Sequence, residues 1–196
     1  MKPRAESSEQ NWQPIFSAIK PLLASSGSVL EIGSGTGQHA VYFSELLPHL
    51  TWQCSDRLEN HEAIKMWIAD SRLENVLQPL ELDTLQSTWP DIVYDVVFSA
   101  NTVHIMDWEA VEAFFAGAGK CLTSGGMLLL YGPFNYNGQF TSDSNARFEQ
   151  WLKERDPQSG IRDFEALDRL ASQAGLELAK DYEMPANNRL LYWKKL

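Results

Sequence analysis

Short apolar runs alternate with amphipathic stretches along this chain. The runs fall at 28–33, 51–56, 76–83, 94–101 and 125–132, and stretches with helical periodicity separate them. Strands that alternate with helices in this way are typical of βαβ units, in which the strands lie parallel. The pattern therefore predicts an α/β fold with five parallel strands.

The amphipathic stretches predict helices between and after these strands. Pro48 ends the first of them, and Asp107 precedes another as a suitable N-cap residue. The predicted helices cover 37–50, 61–71, 107–122, 144–155 and 163–174.

Two further features predict how the sheet is bounded. Pro79 lies inside 76–83 and has no N–H to donate, which favours an edge position for that strand. Near the end of the chain, the apolar runs 176–184 and 189–195 are joined by the short turn "PANN". Such a short turn predicts an antiparallel hairpin. The expected sheet thus has seven strands, is mostly parallel, and carries helices on both faces.

Composition and charge narrow the class of protein. With 196 residues and 44% hydrophobic content, the chain is long enough for one domain, 1–196, which we expect to begin with a helical segment over 1–26. No run approaches the roughly 20 apolar residues that cross a bilayer, and the start "MKPRAESSEQN" lacks the apolar core of a signal peptide. We therefore expect a cytoplasmic protein without a membrane partner.

The charge of the chain and the spacing of its cysteines and histidines argue against nucleic-acid-binding, disulfide-rich and metal-binding proteins. The net charge is −10 and no basic block is present, which argues against a nucleic-acid partner. Cys54 and Cys121 stand far apart without CxxC spacing, and the four histidines are scattered. This spacing predicts neither a disulfide framework nor a metal site. A small molecule is the expected partner.

A glycine-rich turn follows the first predicted strand, in the stretch "VLEIGSGTGQHA". Gly33, Gly35 and Gly37 allow the chain to turn tightly and a ligand to approach the backbone. The dinucleotide pattern GxGxxG requires a third small residue at position 38, where this chain has Gln38. A nicotinamide-dependent oxidoreductase remains an alternative that this residue disfavours.

Acidic residues end or follow the predicted strands. Asp56 lies 19 residues after Gly37, where a carboxylate accepts both hydroxyls of a ribose in either cofactor class. Asp83 follows Leu82 at the end of the third strand. An acid at a strand end is also a common solvated turn residue.

Five parallel strands, the glycine turn and the final hairpin resemble the class I S-adenosylmethionine-dependent methyltransferases, which have a Rossmann-like fold. This resemblance implies S-adenosyl-L-methionine as the cofactor. It also implies that Glu31 anchors the amino-acid end of the cofactor, that Leu82 packs on the adenine ring, and that Asp83 accepts from the adenine amino group. The Asn/Asp-Pro-Pro-aromatic motif of adenine and cytosine amino-methyltransferases is absent from the matching stretch, "FSANTVHIMDW".

A closer resemblance covers nearly the whole chain. The stretches "WQCSD", "NTVHI", "LYGPF", "GIRD" and "MPANN" resemble a methyltransferase family called domain of unknown function 938, whose animal members are called methyltransferase-like protein 26. The chain departs from the family pattern at Gln10, where arginine is usual, and at Cys54, where proline is common. The glycine and acid motifs are intact.

The fourth strand brings two residues to the predicted cofactor edge. Asn101 is a candidate to support the methionine end of the cofactor. His104 is a candidate general base, because an imidazole titrates near neutral pH, and a structural packing role is the alternative. Methyl transfer from a sulfonium depends mostly on in-line positioning, so a base is not obligatory.

The loops after the fifth and sixth strands are predicted to reach the same edge. Their polar and aromatic residues are candidates for substrate binding, with ordinary turn formation as the alternative. These residues are Tyr131, Asn135, Tyr136, Asn187 and Asn188. Arg162 is a candidate to bind an anionic substrate or to pair with Asp163 or another surface acid. The segment near Asn11 to Ile15 is a candidate lid.

Two functions are consistent with these features. The first is S-adenosylmethionine-dependent methyl transfer to a small-molecule acceptor. The second is a catalytically inactive S-adenosylmethionine-binding module with an interaction or regulatory role. Both require cofactor binding, so turnover is the property that separates them.

Overall fold

A mostly parallel sheet of seven strands forms the centre of the protein in the computed structural model, which describes residues 2–86 and 88–196. Its strands, with two short strands that pair separately, are β1 (Ser28–Ile32), β2 (Thr51–Asp56), β3 (Val76–Glu81), β4 (Tyr94–Ala100), β5 (Leu122–Gly132), β6 (Phe134–Asn135), β7 (Arg162–Asp163), β8 (Leu176–Met184) and β9 (Asn188–Lys195).

Six α-helices are found in the described ranges. They are α1 (Glu6–Ile19), α2 (Gln38–Leu46), α3 (His61–Ser71), α4 (Trp108–Cys121), α5 (Asp143–Arg155) and α6 (Phe164–Gln173). Single 3-10 turns at Leu58–Asn60 and Pro185–Asn187 precede α3 and β9.

The strand order across the sheet is β3-β2-β1-β4-β5-β9-β8. The first five strands in the chain are parallel, and β9 runs antiparallel to both of its neighbours, β5 and β8. The predicted mostly parallel sheet with a C-terminal antiparallel hairpin is therefore confirmed. Pro79 lies in β3 at the edge of the sheet, as its missing N–H predicts.

Some element boundaries differ from the prediction. The helix predicted over 37–50 ends at Leu46, before Pro48. The fifth strand begins at Leu122 instead of 125, because its register shifts against β4 near Tyr94 and lets the chain pair on both sides of the irregularity. The Asp107 cap is confirmed, since its Oδ1 accepts the N–H of Ala110 at 2.8 Å.

Two apolar cores cover the two faces of the sheet. Alternate residues of a strand point to opposite faces, so Val29 joins one core and Leu30 the other. The Val29 core contains residues of α1, α2 and α3, while the Leu30 core contains residues of α4 and α6. This placement confirms helices on both faces.

The N-terminal helix is part of the first core. Ile15 and Ile19 of α1 are fully buried beside α2, although Pro14 lies inside the helix. Across the described part of the chain, no helix combines the length and the apolar character that crossing a membrane requires.

Candidate functional site

A cavity of about 550 Å³ opens at the carboxyl ends of β1, β2, β3 and β4. The strand order reverses between β1 and β4, and ligands of open α/β sheets bind at such a switch point. Most of the residues that line the cavity follow the four strands, and others lie at the start of α1 or after α5. They include Gly33–Thr36, Asp56, Arg57, Asn60, 82–86, 100–102, 105–107, Ala5, Ser7 and Ser8.

The three glycines after β1 all have positive φ angles, but each meets a different environment. A Cβ on Gly33 would lie 2.7 Å from the Thr102 side chain, and one on Gly37 would lie 3.2 Å from the backbone of Ile64. A Cβ on Gly35 would have no neighbour within 4 Å, because Gly35 faces the cavity. The close contact with Thr102 therefore explains the glycine at position 33, and the close approach of Ile64 at the start of α2 explains Gly37. Gly35 borders the space that a ligand would occupy.

Asp56 ends β2 and lines the cavity. Its Oδ2 accepts the N–H of Gly35 at 2.6 Å, while its Oδ1 accepts from the N–H of Arg57 and the Nδ2 of Asn60 at 2.8 Å each. The carboxylate thus connects the glycine turn to the loop after β2. It stands where the ribose of an adenosine cofactor is predicted to bind.

Glu31 is buried inside the sheet and does not line the cavity. Its Oε2 accepts from Trp52 Nε1 at 3.1 Å and from Ser34 Oγ at 3.0 Å. Burial raises the pKa of Glu31 to about 7, and these two hydrogen bonds offset part of that effect. Ser34 lies between Glu31 and the cavity, so any influence of Glu31 on a ligand passes through Ser34.

The end of β3 provides an apolar and an acidic wall. Leu82 and Asp83 both line the cavity, and the N–H of Leu82 donates to the Asp56 carbonyl at 2.9 Å. Asp83 Oδ1 accepts the N–H of Leu85 at 3.0 Å. These placements are compatible with the predicted adenine contacts, which stay predictions.

Asn101 follows β4 in a left-handed conformation, with φ of 58°. Its N–H donates to the carbonyl of Tyr131 at 2.9 Å, and the residue lines the cavity. Within the described part of the chain, the Asn101 side-chain amide makes no hydrogen bond. An asparagine with a local backbone strain and an unused amide at a cavity wall is suited to contact a ligand.

His104 lies in the loop after β4 and is buried behind the cavity wall. Its ring packs edge-on against Phe148, with centroids 5.3 Å apart, and its carbonyl accepts from the N–H of Gly160. Its Nδ1 is buried and has no hydrogen-bond partner among the described residues. Burial, followed by the nearby charge of Arg162, lowers the pKa of His104 to about 4, so the ring is neutral at pH 7.

None of the five predicted substrate residues lines this cavity. Tyr131 forms a side-chain hydrogen bond with Asn188, and burial raises the pKa of Tyr131 to about 12. Asn135 Oδ1 is buried without a partner in the described ranges, and the carbonyl of Asn187 accepts from Asn145 Nδ2 at 3.2 Å. Their roles in substrate binding stay predictions.

Tyr136 makes contacts that stabilise the fold. Its hydroxyl donates to Asp181 Oδ2 at 2.7 Å, and burial together with this contact raises the pKa of Tyr136. The ring stacks on Phe164, and the guanidinium of Arg189 lies 5.5 Å from its centroid. Tyr136 therefore joins the segment after β5 to β8.

Arg162 makes no ion pair with Asp163 or with another acid among the described residues, and its contact with an anionic substrate stays a prediction. Its guanidinium donates to the carbonyls of Val103, Met106 and Gln158, and the Gln158 bond measures 2.9 Å. Arg162 thus holds the loop after β4 against the turn after α5. Both segments line the cavity, so these hydrogen bonds fix the position of that part of the cavity wall.

The N-terminal segment also reaches the cavity. Ala5, Ser7 and Ser8 are among the residues that line it. The Gln38 side chain accepts the N–H of Ala5 at 2.6 Å and donates to Glu9 Oε1 at 2.7 Å, which ties this segment to α2. The predicted lid region near Asn11 to Ile15 lies deeper, and Ile15 is fully buried in the core.

Sequence patterns did not indicate several of the lining residues. They include Ser34, Arg57, Asn60, Thr84, Thr102, Asp107, Asp156 and Gln158. Some of them are adjacent in sequence to a predicted site residue, as Thr102 is to Asn101. That adjacency is the feature of the sequence that could have indicated them. Asp156 and Gln158 had none, since the turn after α5 comes from a distant part of the chain. In the described ranges, no group of three or more His, Cys, Asp or Glu residues is arranged to hold a metal ion.

Several solved structures with a similar fold are methyltransferases. An O-methyltransferase family protein from Burkholderia thailandensis matches with a TM-score of 0.86 at 18% identity, covering 97% of this chain and 57% of that protein. Human N-acetylserotonin methyltransferase, solved in complex with SAM, matches with a TM-score of 0.80 at 17% identity, covering 97% and 53%. Mitomycin 7-O-methyltransferase MmcR matches with a TM-score of 0.84 at 14% identity, covering 97% and 54%.

These similarities define the class of fold. The chain has the Rossmann-like fold of the methyltransferases, and it spans just over half the length of the three matched proteins. A family profile described as "Protein of unknown function (DUF938)" matches residues 2–195. The chain belongs to this family.

Proposed function

We propose that this protein transfers the methyl group of S-adenosylmethionine to a small-molecule acceptor. The observation that carries the proposal is the open space above Gly35, at the switch point of a methyltransferase fold. A cavity of about 550 Å³ is within the range of small-molecule sites, roughly 300–1,000 Å³.

The residues present fit this cofactor. Asp56 would accept the ribose hydroxyls, Leu82 would pack on the adenine ring, and Asp83 would accept from the adenine amino group. Asn101 would donate from its unpaired Nδ2 to the methionine end. Glu31 would act there through Ser34, which donates to it.

The charge of the cavity also supports a cationic cofactor. Four carboxylates line it, those of Asp56, Asp83, Asp107 and Asp156, against the one guanidinium of Arg57 among the described lining residues. When bound, S-adenosylmethionine supplies an electrophilic methyl group on a positively charged sulfonium. Carboxylates in a partly enclosed cavity stabilise such a charge. The chain's own contribution is to bind, orient and enclose the reactants.

Closure of the site is assigned to the N-terminal segment. Ala5, Ser7 and Ser8 line the cavity, and Gln38 holds this segment through Ala5 and Glu9, whereas Ile15 and Ile19 of α1 are buried in the core. A small enclosed acceptor agrees with this arrangement better than a nucleic acid, because the chain carries a net charge of −10. A cytoplasmic location and membership of the methyltransferase-like protein 26 branch stay predictions.

Calorimetric titration tests the cofactor. The protein should bind S-adenosylmethionine and S-adenosylhomocysteine, and bind NAD much more weakly. A preference for NAD would contradict the proposal. Gln38 already occupies the position of the third small residue of the dinucleotide pattern, and it is buried.

Turnover separates the enzyme from a binding module without catalysis. The protein is incubated with a metabolite extract and S-adenosylmethionine labelled on its methyl group, and small-molecule products are resolved by chromatography. Label in a small molecule supports the enzyme. Tight cofactor binding without label transfer to any fraction would favour the regulatory module.

A further inference from the structure

Gly132, the last residue of β5, leaves a space the size of a methyl group beside the cavity wall. Measured from the position that a Cβ would occupy, the nearest atoms are His104 Nδ1 at 3.7 Å, Phe134 Cζ at 3.8 Å and Asn101 Oδ1 at 4.0 Å. The φ angle of Gly132 lies outside the left-handed region, so its backbone does not require glycine. The effect of glycine at this position is to leave the site of a Cβ atom empty.

The two polar atoms that face this space lack partners. His104 Nδ1 is buried and unpaired among the described residues, and the ring is 5% exposed. The Asn101 amide makes no hydrogen bond in the same ranges and lines the cavity. Buried polar atoms in native proteins nearly always have a partner, so an orphan aimed into a space points to a ligand or a bound water.

The character of these atoms limits what that ligand is. Asn101 Oδ1 is an acceptor, and a neutral imidazole has one nitrogen that accepts and one that donates. Carboxylates dominate the adjoining cavity. The nearby guanidinium of Arg162 already donates to three backbone carbonyls, so it is poorly placed to receive an anion.

We propose that the methyl-sized space over Gly132 receives the O–H or N–H group of a small uncharged acceptor, between Asn101 and His104, while the rest of the acceptor lies in the cavity that Asn101 lines. This assignment rests on the proposed methyl transfer. Phe134 and Phe148 supply the apolar surroundings, Phe134 at the space itself and Phe148 against the outer edge of the His104 ring.

The test uses histidine NMR signals, so it does not depend on activity. The protein is labelled with ¹³C and ¹⁵N at its four histidines and saturated with S-adenosylhomocysteine. It is then titrated separately with phenol, aniline, toluene and benzoate. The His104 signals are assigned by their loss in His104→Asn. Phenol should shift them, and aniline should do the same through its N–H. Toluene, which matches phenol in shape without a donor, and the anion benzoate should not.

A single methyl group provides the matched mutation. In Gly132→Ala the new Cβ meets atoms only at ordinary contact distances, so the fold should be kept. Phenol affinity should fall at least about 10-fold because the space is filled, while S-adenosylhomocysteine affinity stays within about two-fold. The control is Gly138→Ala, which adds a methyl group to an exposed turn with no neighbour within 4 Å.

The outcomes separate the inference from the proposed function. Equal shifts with phenol and toluene, a preference for benzoate, or unchanged phenol binding in Gly132→Ala would each overturn the subsite. S-adenosylhomocysteine binding with no effect of phenol would overturn it as well. Failure to bind S-adenosylhomocysteine, with phenol still shifting His104, would instead overturn the proposed methyl transfer.

Discussion

The carboxylate of Asp56, at the end of β2, accepts the backbone N–H of Gly35 at 2.6 Å. The glycine turn after β1 is therefore held by the neighbouring strand, and the same carboxylate faces the cavity. Because two further donors, the N–H of Arg57 and Asn60 Nδ2, occupy Oδ1, the position of Asp56 is fixed before any ligand arrives. The shape of the turn and the binding of adenosine are expected to depend on one another.

Gly35→Val should abolish cofactor binding. The valine side chain would enter the open space above the turn, and we expect S-adenosylhomocysteine affinity to fall by about 100-fold or more in calorimetry. The control is Gly138→Val, which has a similar left-handed φ, 68° against 59°, and equally open surroundings outside the cavity. Both variants carry comparable backbone strain, roughly 1–2 kcal/mol. Retained affinity in a folded Gly35→Val protein would place the ligand elsewhere.

Asp56→Ala should weaken S-adenosylhomocysteine binding about 10-fold or more, since hydrogen bonds to a charged group contribute roughly 1.5–3 kcal/mol. The variant should also lose its discrimination against 2′- and 3′-deoxyribose analogues of the ligand. Asn60→Ala is the matched control, because it removes one donor to the carboxylate but keeps the carboxylate itself. If Asp56→Ala still rejects the deoxy analogues as strongly as the parent, this residue does not bind the ribose.

Glu31→Gln should stabilise the protein at neutral pH and not in acid. The pKa of Glu31 rises from 4.5 to about 7 on folding, so its contribution to stability is complete below pH 4.5 and is lost as the pH rises through 7. The loss is on the order of 3 kcal/mol. Glutamine keeps an acceptor for Trp52 and Ser34 without a charge.

Urea unfolding at several pH values measures this effect. The difference between Glu31→Gln and the parent should be small at pH 4.5 and grow toward pH 8. His39 and His104 have the opposite pH dependence, because burial lowers the pKa of each to about 4. Their contributions to the free energy of unfolding therefore decline as the pH falls from 6.5 to 4 in both the parent and the variant. A pH-independent difference would mean that Glu31 is charged in the folded protein.

Gln38→Met should loosen the N-terminal segment. The change removes the two hydrogen bonds that link Gln38 to the N-terminal segment, from the N–H of Ala5 and to Glu9, together with one from Thr36 Oγ1, while nearly keeping the side-chain volume. Two bonds of about 0.5–1.5 kcal/mol each predict that S-adenosylhomocysteine leaves roughly 5- to 100-fold faster in stopped-flow measurements. Gln10→Met, on the exposed side of α1, is the control. Unchanged dissociation in Gln38→Met would show that this segment does not close the site.

His104→Gln tests whether the imidazole acts as a base. The ring of the parent is neutral above about pH 4, so a base role predicts a kcat that is flat from pH 6 to 8 and declines as the pH falls toward 4. The variant should lose that decline and turn over about 100-fold or more slowly. The measurement requires the acceptor found in the metabolite extract. An unchanged pH profile would leave His104 with a positioning role.

Local rules were sufficient for much of the fold. Alternating periodicity predicted the order of strands and helices, and the missing N–H of Pro79 predicted the edge position of β3. These predictions succeed because they depend on the chemistry of neighbouring residues. The position of Gly35, Asp56, Asp83 and Asn101 around one cavity also followed, since the carboxyl ends of parallel strands meet at one edge of a sheet.

Long-range packing decided the chemical environment of each side chain. The three glycines look equivalent in the sequence, but Thr102 packs against Gly33 and Ile64 against Gly37, and of the three Gly35 has open space at its Cβ position. Arg162 donates to carbonyls more than 50 residues away in sequence at Val103 and Met106, which no local pattern encodes. The burial of Glu31 beside Trp52, and the unpaired nitrogen of His104 facing Gly132, likewise arise only when distant elements pack together, because contacts across the core set desolvation and hydrogen bonding.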